Sequence, residues 1–347
     1  MELLRDLDKR VEKVRALMKK QGLNALLILK PENKIYLTGA EPGRLLITKR
    51  GAVLWVRRLY TEINSDMYFH EDYPIDVRIY EKNAVKNHVK KLKIKKLGVE
   101  DSGVETQKAM RRELKVTPVV TDAVENARAI KSEYEIGLIK KSAEIAKKGM
   151  RKAYEVVKEG ASEINAVAEV EYEIRKNGSE TPPFNEGAIL AYGKNGANIH
   201  AISGKRKISH GLAVVDLGAR YMHYYSDMTR TIKVGHLDKK ERGILEFVKN
   251  LQQEAIDKIE VGMKASELHK FVEEKIKKKG FEFYHSTGHG IGIKVHELPS
   301  ISENSKETFE KNMVFTVEPG IYIPHKFGVR WEDTLVLRKN KKEILTR

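Results

Sequence analysis

Two pairs of apolar strands, each carrying an acid where a buried strand should have none, constrain this chain more than any other feature. Residues 212–218 read as one buried strand and residues 224–232 as a second. Turning around Tyr221 and Met222, they form a hairpin in which Asp216 and Asp227 stand directly opposite each other. Such neighbours hold their Cβ atoms roughly 4.5–5.5 Å apart. Residues 313–322 and 328–337 repeat the plan, and a turn near His325 places Glu318 opposite Glu332. Packing alone supplies no reason for two facing acid pairs.

Asp216 ends a run of four apolar residues, and Glu318 follows residues 313–317 and precedes Pro319 and Gly320. An unpaired carboxylate buried there is very costly, so something cationic should meet it. His289 lies in a glycine-rich run, residues 287–292, whose glycines permit close backbone approach and unusual dihedrals. No lysine follows where a phosphate loop needs one, so the run reads as a loop presenting an imidazole. Asp216, Asp227, His289, Glu318 and Glu332 together read as the ligand set of a metal centre. Their four carboxylates are neutralised by two divalent cations. Carboxylate and imidazole ligands without sulfur suit manganese, iron, cobalt or zinc. Two such ions roughly 3.5–4 Å apart hold a hydroxide and polarise a carbonyl, a hydrolytic arrangement.

The rest of the chain narrows the setting. Its 347 residues suggest two domains. There is no cysteine, hence no disulfide framework and no thiolate metal site. No apolar run of about 18 residues occurs and the N-terminus carries acids, so neither a membrane span nor a signal peptide is expected. A cytoplasmic protein is the plain expectation. The net charge of +16 raises nucleic acid as a partner, but the basic residues are spread among 49 acids and no nucleic-acid motif accompanies them. In the densest cluster, residues 90–96, the lysines read as a solvated helix face beside Val85, Val89 and Leu92.

Helical spacing over residues 1–21 and strand candidates at 25–29, 45–48, 52–56, 75–80, 97–100 and 116–120 predict an α/β N-terminal domain, residues 1–125. A capping box at Ser132 and Glu135 opens a long helix ending at Gly160. Further helices at 163–175, 239–258 and 266–279 alternate with the hairpins, predicting an α+β domain over residues 126–347. The plan of helix pair then acid-bearing hairpin hints at an internal pseudo-two-fold. His200, His285 and His296 gain weight because they flank the metal segments; His70, His88, His236 and His269 read as structural or exposed. Arg330 shares the face of Glu332 and either fixes a carboxylate or binds substrate, whereas Asp333 points away from the metals.

Residues 215–218, 226–231, 286–292, 317–320 and 329–334 together resemble the superfamily of prolidases, aminopeptidases P and methionine aminopeptidases, family M24, with its "pita-bread" fold. The resemblance spans essentially the whole chain and is closest to archaeal and bacterial Xaa-Pro dipeptidases. It implies a creatinase-like α/β N-terminal domain, a metallopeptidase with two divalent ions per subunit (manganese foremost), a small peptide substrate and a homodimer. Asp227 and Glu332 then bridge the ions and Glu318 shuttles the proton of the attacking hydroxide. His200 and His296 bind substrate or stabilise the tetrahedral intermediate, and His285 is a further active-site histidine.

Family dipeptidases often carry an arginine shortly after the His-Glu segment; here that place holds Ser300. Xaa-Pro dipeptidase activity is the leading expectation. Aminopeptidase P activity on longer peptides is the alternative, and a non-catalytic pita-bread binding module, which would hold no metal pair, a third.

Overall fold

A computed structural model describes residues 1–339 and 341–347. By internal contacts it divides into two units, Met1–Arg128 and Ala129–Arg347.

The first unit opens with α1 (Glu2–Lys20), which buries Leu7, Val11, Val14 and Met18, a 3.6-residue stripe. Then come β1 (Ala25–Ile28), α2 (Pro31–Thr38), β2 (Arg44–Thr48), β3 (Ala52–Val56), the short α3 (Arg58–Ile63) and α4 (Ser65–Tyr68), β4 (Asp76–Ile79), α5 (Ala84–Lys91), β5 (Lys96–Val99), α6 (Gly103–Leu114) and β6 (Thr117–Val120). The strands make one sheet in the order β4-β3-β2-β1-β5-β6, in which only β2 runs antiparallel to its neighbours. Val85, Val89 and Met110 join strand residues such as Leu27, Trp55 and Val99 in its core. The apolar stripe beside the lysine cluster stops at Val89. Leu92 sits past the last turn of α5 as its C-cap and is 46% exposed, because Lys93 turns the chain into a left-handed conformation.

After α7 (Ala123–Ala129), the second unit contains α8 (Glu133–Val156) and α9 (Glu163–Lys176). Both halves of the expected capping box form: Ser132 Oγ accepts from the Glu135 amide and the Glu135 carboxylate accepts from the Ser132 amide. The helix ends at Val156 rather than Gly160, because the Gly160 amide is already spent on the Ile208 carbonyl. Next come β7 (Ile189–Tyr192), β8 (Gly211–Tyr221), β9 (Tyr224–Val234), α10 (Lys239–Lys258), α11 (Ala265–Lys278), β10 (Gly288–Gly290), β11 (Glu297–Ile301), β12 (Val314–Val317), β13 (Gly320–Ile323), β14 (Phe327–Arg330), β15 (Asp333–Leu337) and β16 (Lys342–Ile344). The α8–α9 pair shares one core with β7, β8 and β9. The α10–α11 pair shares another with strands of the second hairpin. Two helix pairs thus each cover their own antiparallel strands, as the repeated plan anticipates. Among the described residues, no helix is long and apolar enough to cross a membrane.

The first hairpin departs from its expected register. Its turn is Met222–His223, both at positive φ, the geometry of a two-residue hairpin turn matched to strand twist. That moves the pairing by two residues: Asp216 faces Thr229, and Asp227 faces Gly218. A shift of two keeps side chains on the same face, so the two acids become diagonal rather than direct neighbours. The second hairpin keeps its register around His325, with Val317 opposite Asp333 and Gly320 opposite Arg330. Glu318 and Glu332 fall opposite each other in the gap between these two ladders.

His289 also sits differently from the expected loop. It is the middle residue of β10, paired with β11 on one side and β12 on the other. The flanking glycines permit this by close approach: a Cβ on Gly288 would lie 2.0 Å from the Thr316 carbonyl oxygen, and one on Gly290 would lie 2.0 Å from that of Leu298. Gly288→Ala should therefore cost about 1–3 kcal/mol of stability in urea unfolding, the range for overpacked core sites. A cost near zero would show that the strands can part freely.

Candidate metal centre

A seam of hydrogen bonds between β9 and the second hairpin assembles the acids. The Glu332 amide donates to the Thr229 carbonyl (3.1 Å), and Thr334 Oγ1 donates to the Asp227 carbonyl (2.7 Å). Thr231 Oγ1 donates to the Arg330 carbonyl and accepts from the Arg330 amide. Asp227 and Glu332 are thereby brought to one place, where ligand atoms of Asp227, His289 and Glu332 all lie within 4.8 Å of one another. Glu318 Oε1 is 3.4 Å from His289 Nε2, and Asp227 Oδ2 is 3.7 Å from it.

His289 presents the correct nitrogen to this cluster. Its Nδ1 faces the Gly290 carbonyl at 3.2 Å, and a carbonyl only accepts, so Nδ1 carries the hydrogen and Nε2 its lone pair. Burial lowers its pKa, which keeps the ring neutral. Thr316 Oγ1 accepts from the His289 amide and donates to Glu318 Oε1, so one hydroxyl orients both residues.

The carboxylates are short of partners. Asp216 Oδ1, Asp227 Oδ1 and Glu332 Oε1 are buried oxygens without a hydrogen-bond donor. Burial first, then the neighbouring acids, pushes Asp227 and Glu332 well above the ordinary carboxylate range. Glu318 is pushed up to about 7, mainly by burial. A cluster of orphaned, mutually repelling acids around a neutral imidazole fits divalent cations, which supply the missing positive charge.

Among the described residues, Arg330 is the strong cation that reaches this ring. Its Nη2 donates to Asp216 Oδ2 (2.6 Å), Nη1 to the Tyr322 hydroxyl (3.0 Å) and Nε to Thr229 Oγ1 (3.2 Å). Thr229 in turn donates to Glu332 Oε2 (2.6 Å). Beyond Tyr322 lies His285, whose Nδ1 donates to the Ser286 carbonyl (2.8 Å) and whose Nε2 is 3.0 Å from the Tyr322 hydroxyl. Burial holds His285 down to about 3, so it is neutral and Nε2 accepts. Replacing Arg330 by methionine breaks a buried charge pair and should destabilise the metal-free chain by about 3–5 kcal/mol. Urea titration reads this directly; a change below 1 kcal/mol, roughly that of an exposed pair, would contradict it.

The remaining expected residues are more peripheral. The His296 ring lies 4.2 Å from that of His289, centroid to centroid. The buried pair Lys131–Glu297 (2.8 Å) anchors the segment that carries His296. His200 is exposed and its amide donates to Asn198, yet it is near enough to act electrostatically on Glu318 and His285. Ser300 pairs directly with His289 across β10 and β11 and bonds Ser302. Asp333 points away from the cluster, into a pair with Arg230 at 2.7 Å. Sequence reading missed Thr229, Thr316 and Tyr322. The alternation of strand side chains could have found them, since they stand two or four residues from Asp227 and Glu318.

Residues 137–339 match the model of metallopeptidase family M24, and residues 10–130 match that of the creatinase/prolidase N-terminal domain. The chain belongs to metallopeptidase family M24. It is a peptidase with a creatinase-type α/β domain ahead of an α+β pita-bread domain. This M24 chain is 38% identical to an Xaa-Pro dipeptidase of Pyrococcus horikoshii, over 98% of its own length and 97% of that protein's. The crystal structure of a prolidase from the same organism superposes with a TM-score of 0.88 at 37% identity, covering 98% of each chain. An X-Pro aminopeptidase from Thermotoga maritima superposes at 0.84 with 30% identity, covering 97% of each. Family membership implies divalent metal ions, and the acid cluster around His289 is consistent with a site for them.

Proposed function

We propose that this chain hydrolyses Xaa-Pro dipeptides with two divalent ions held by Asp216, Asp227, His289, Glu318 and Glu332. The observation that carries the reading is the trio of buried, partnerless carboxylate oxygens on Asp216, Asp227 and Glu332, with ligand atoms of Asp227 and Glu332 within 4.8 Å of that of His289. Asp227 and Glu332 would be the ligands shared by the two ions, as the family resemblance implies, and each has an orphaned oxygen free to serve. Ions bound there would lower the pKa of a water molecule and polarise the carbonyl that precedes proline.

The protein's own groups then manage the protons. Glu318 takes a proton from the attacking water as its oxygen bonds the carbonyl carbon. It returns that proton to the proline nitrogen as the C–N bond breaks. A carboxylate beside the reacting atoms, oriented by the Thr316 hydroxyl, suits both transfers. His296 and His200 are assigned to the substrate and to the carbonyl oxygen as charge develops on it. His285 is assigned to the same site through Tyr322. Three of Arg330's donor nitrogens are spent on protein acceptors, so we place it as a positioning residue for Asp216. The sulfur-free ligand set is compatible with manganese, which we propose as the ion, with cobalt, iron or zinc as competitors. A homodimer and a cytoplasmic location are proposed on the family resemblance and the cysteine-free composition.

A second reading, aminopeptidase P activity, is favoured by one observation. Ser300, paired with His289 across β10 and β11, offers a hydroxyl where the resemblance to family dipeptidases implies a cation for the substrate's free carboxylate. Turnover of Xaa-Pro dipeptides against Xaa-Pro-Yaa tripeptides, after loading with each ion in turn, decides between them. Dipeptide cleavage with at least tenfold higher kcat/KM is expected, a difference of about 1.4 kcal/mol. Cleavage confined to tripeptides would replace the dipeptidase reading by the second.

A further inference from the structure

A feature of the first unit lies outside the peptidase chemistry. Strand order runs β1, β2, β3, β4 toward one edge of the sheet, whereas β5 and β6 add on the other side of β1. The order in which strands are added therefore reverses at the parallel neighbours β1 and β5, with β1 leading on toward β2 and β5 toward β6. Such switch points open a crevice at the carboxyl ends of the strands, where open α/β sheets bind ligands.

A cavity of about 640 Å³ lies at this end of the sheet, against the end of β1 and the helix that follows β5. Its walls come from the end of β1, the start of β2, residues 80–86 after β4, and one side of α6. Leu29, Val85, Met110 and Leu114 give it an apolar lining, whereas Lys34, Arg44, Lys82 and Lys86 bring four positive charges. None of these four makes an ion pair among the described residues. The one acid in the lining, Glu113, is 3.2 Å from Arg112. The Arg44 guanidinium lies over the Tyr80 ring at 5.2 Å. Arg44, Lys82 and Lys86 are exposed at the rim and Lys34 is half-buried, so together they give the mouth a positive potential that favours an anion.

We propose that this cavity is a binding site for a small phosphate monoester with an apolar or planar body, of mononucleotide size. The volume falls within the usual range for small-molecule sites, roughly 300–1,000 Å³. A doubly charged phosphate satisfies several cations at once through charge-assisted hydrogen bonds. The aliphatic lining and Tyr80 accept the uncharged body. The site is built entirely within the first unit and does not depend on the assignment of peptide specificity.

Isothermal titration of the full chain with AMP tests this, with inorganic phosphate as competitor and adenosine as the uncharged control. Saturable AMP binding, displaced by phosphate and much weaker for adenosine, is expected. The Lys82→Glu, Lys86→Glu double variant should weaken AMP binding by roughly tenfold or more. Arg44→Ala should weaken it independently, and both variants should keep the parent's thermal midpoint. Absence of saturable AMP binding would overturn the proposal. So would binding that neither variant alters, binding that adenosine matches, or binding that phosphate fails to displace.

Discussion

Asp227→Asn and Glu332→Gln are each expected to lower turnover of an Xaa-Pro dipeptide on the order of a thousandfold or more, with little change in fold. An amide keeps the size of each side chain but removes the charge that a bridging ligand must supply. The fold should tolerate the change because Asp227 Oδ1 and Glu332 Oε1 have no donor to lose. Replacing either carboxylate also removes repulsion from a cluster whose members raise one another's pKa. Kinetics, elemental analysis of bound metal and circular dichroism together check the result. Turnover within tenfold of the parent in either variant would refute the bridging roles.

Stripping the metal should make stability strongly dependent on pH, and in an unusual direction. In the metal-free fold, Glu318, Asp227 and Glu332 have pKa values raised above those of the unfolded chain, Glu318 to about 7. Between the ordinary carboxylate pKa and the raised one, the folded state holds more protons than the unfolded state. Stability therefore falls as pH rises through that window. His289 and His285, both lowered by burial, act oppositely, but their effect lies below about pH 6.5 and vanishes above it. From pH 6 to pH 8 the carboxylates decide. The gap in thermal midpoint between metal-saturated and chelator-treated protein should widen by about 5 °C or more over that interval. Calorimetry at the two pH values reads it; a constant or narrowing gap would show that the acids are neutralised by something other than bound cations.

Much of the architecture was legible from periodicity. The stripe Leu7, Val11, Val14 and Met18 announced α1, and the Ser132–Glu135 box announced the start of α8. The end of α8 was not legible, because it depends on a carbonyl at Ile208, far along the chain. The register of the first hairpin was misjudged by two residues, since neither Met222 nor His223 advertises a left-handed turn. The error left the site readable because strand faces repeat every two residues. His289 looked like a loop residue because glycines mark loops locally. Only pairing on both sides, at distances no Cβ allows, makes them strand glycines.

The sequence by itself determined the kinds of group in the centre. Four acids and a histidine, set in apolar strands where unpaired charge is prohibitively costly, demand cations whatever the details of folding. What only the tertiary structure decided is how those groups are held. The seam between β9 and the second hairpin sets Asp227 beside Glu332, Thr316 serves both His289 and Glu318, and Arg330 reaches from Tyr322 to Asp216. Thr316–Glu318 and Arg330–Tyr322 are local, but the other contacts join residues 27 to 114 positions apart, beyond the reach of any periodicity. Local pattern specifies which face a side chain takes, and long-range packing specifies what it meets there.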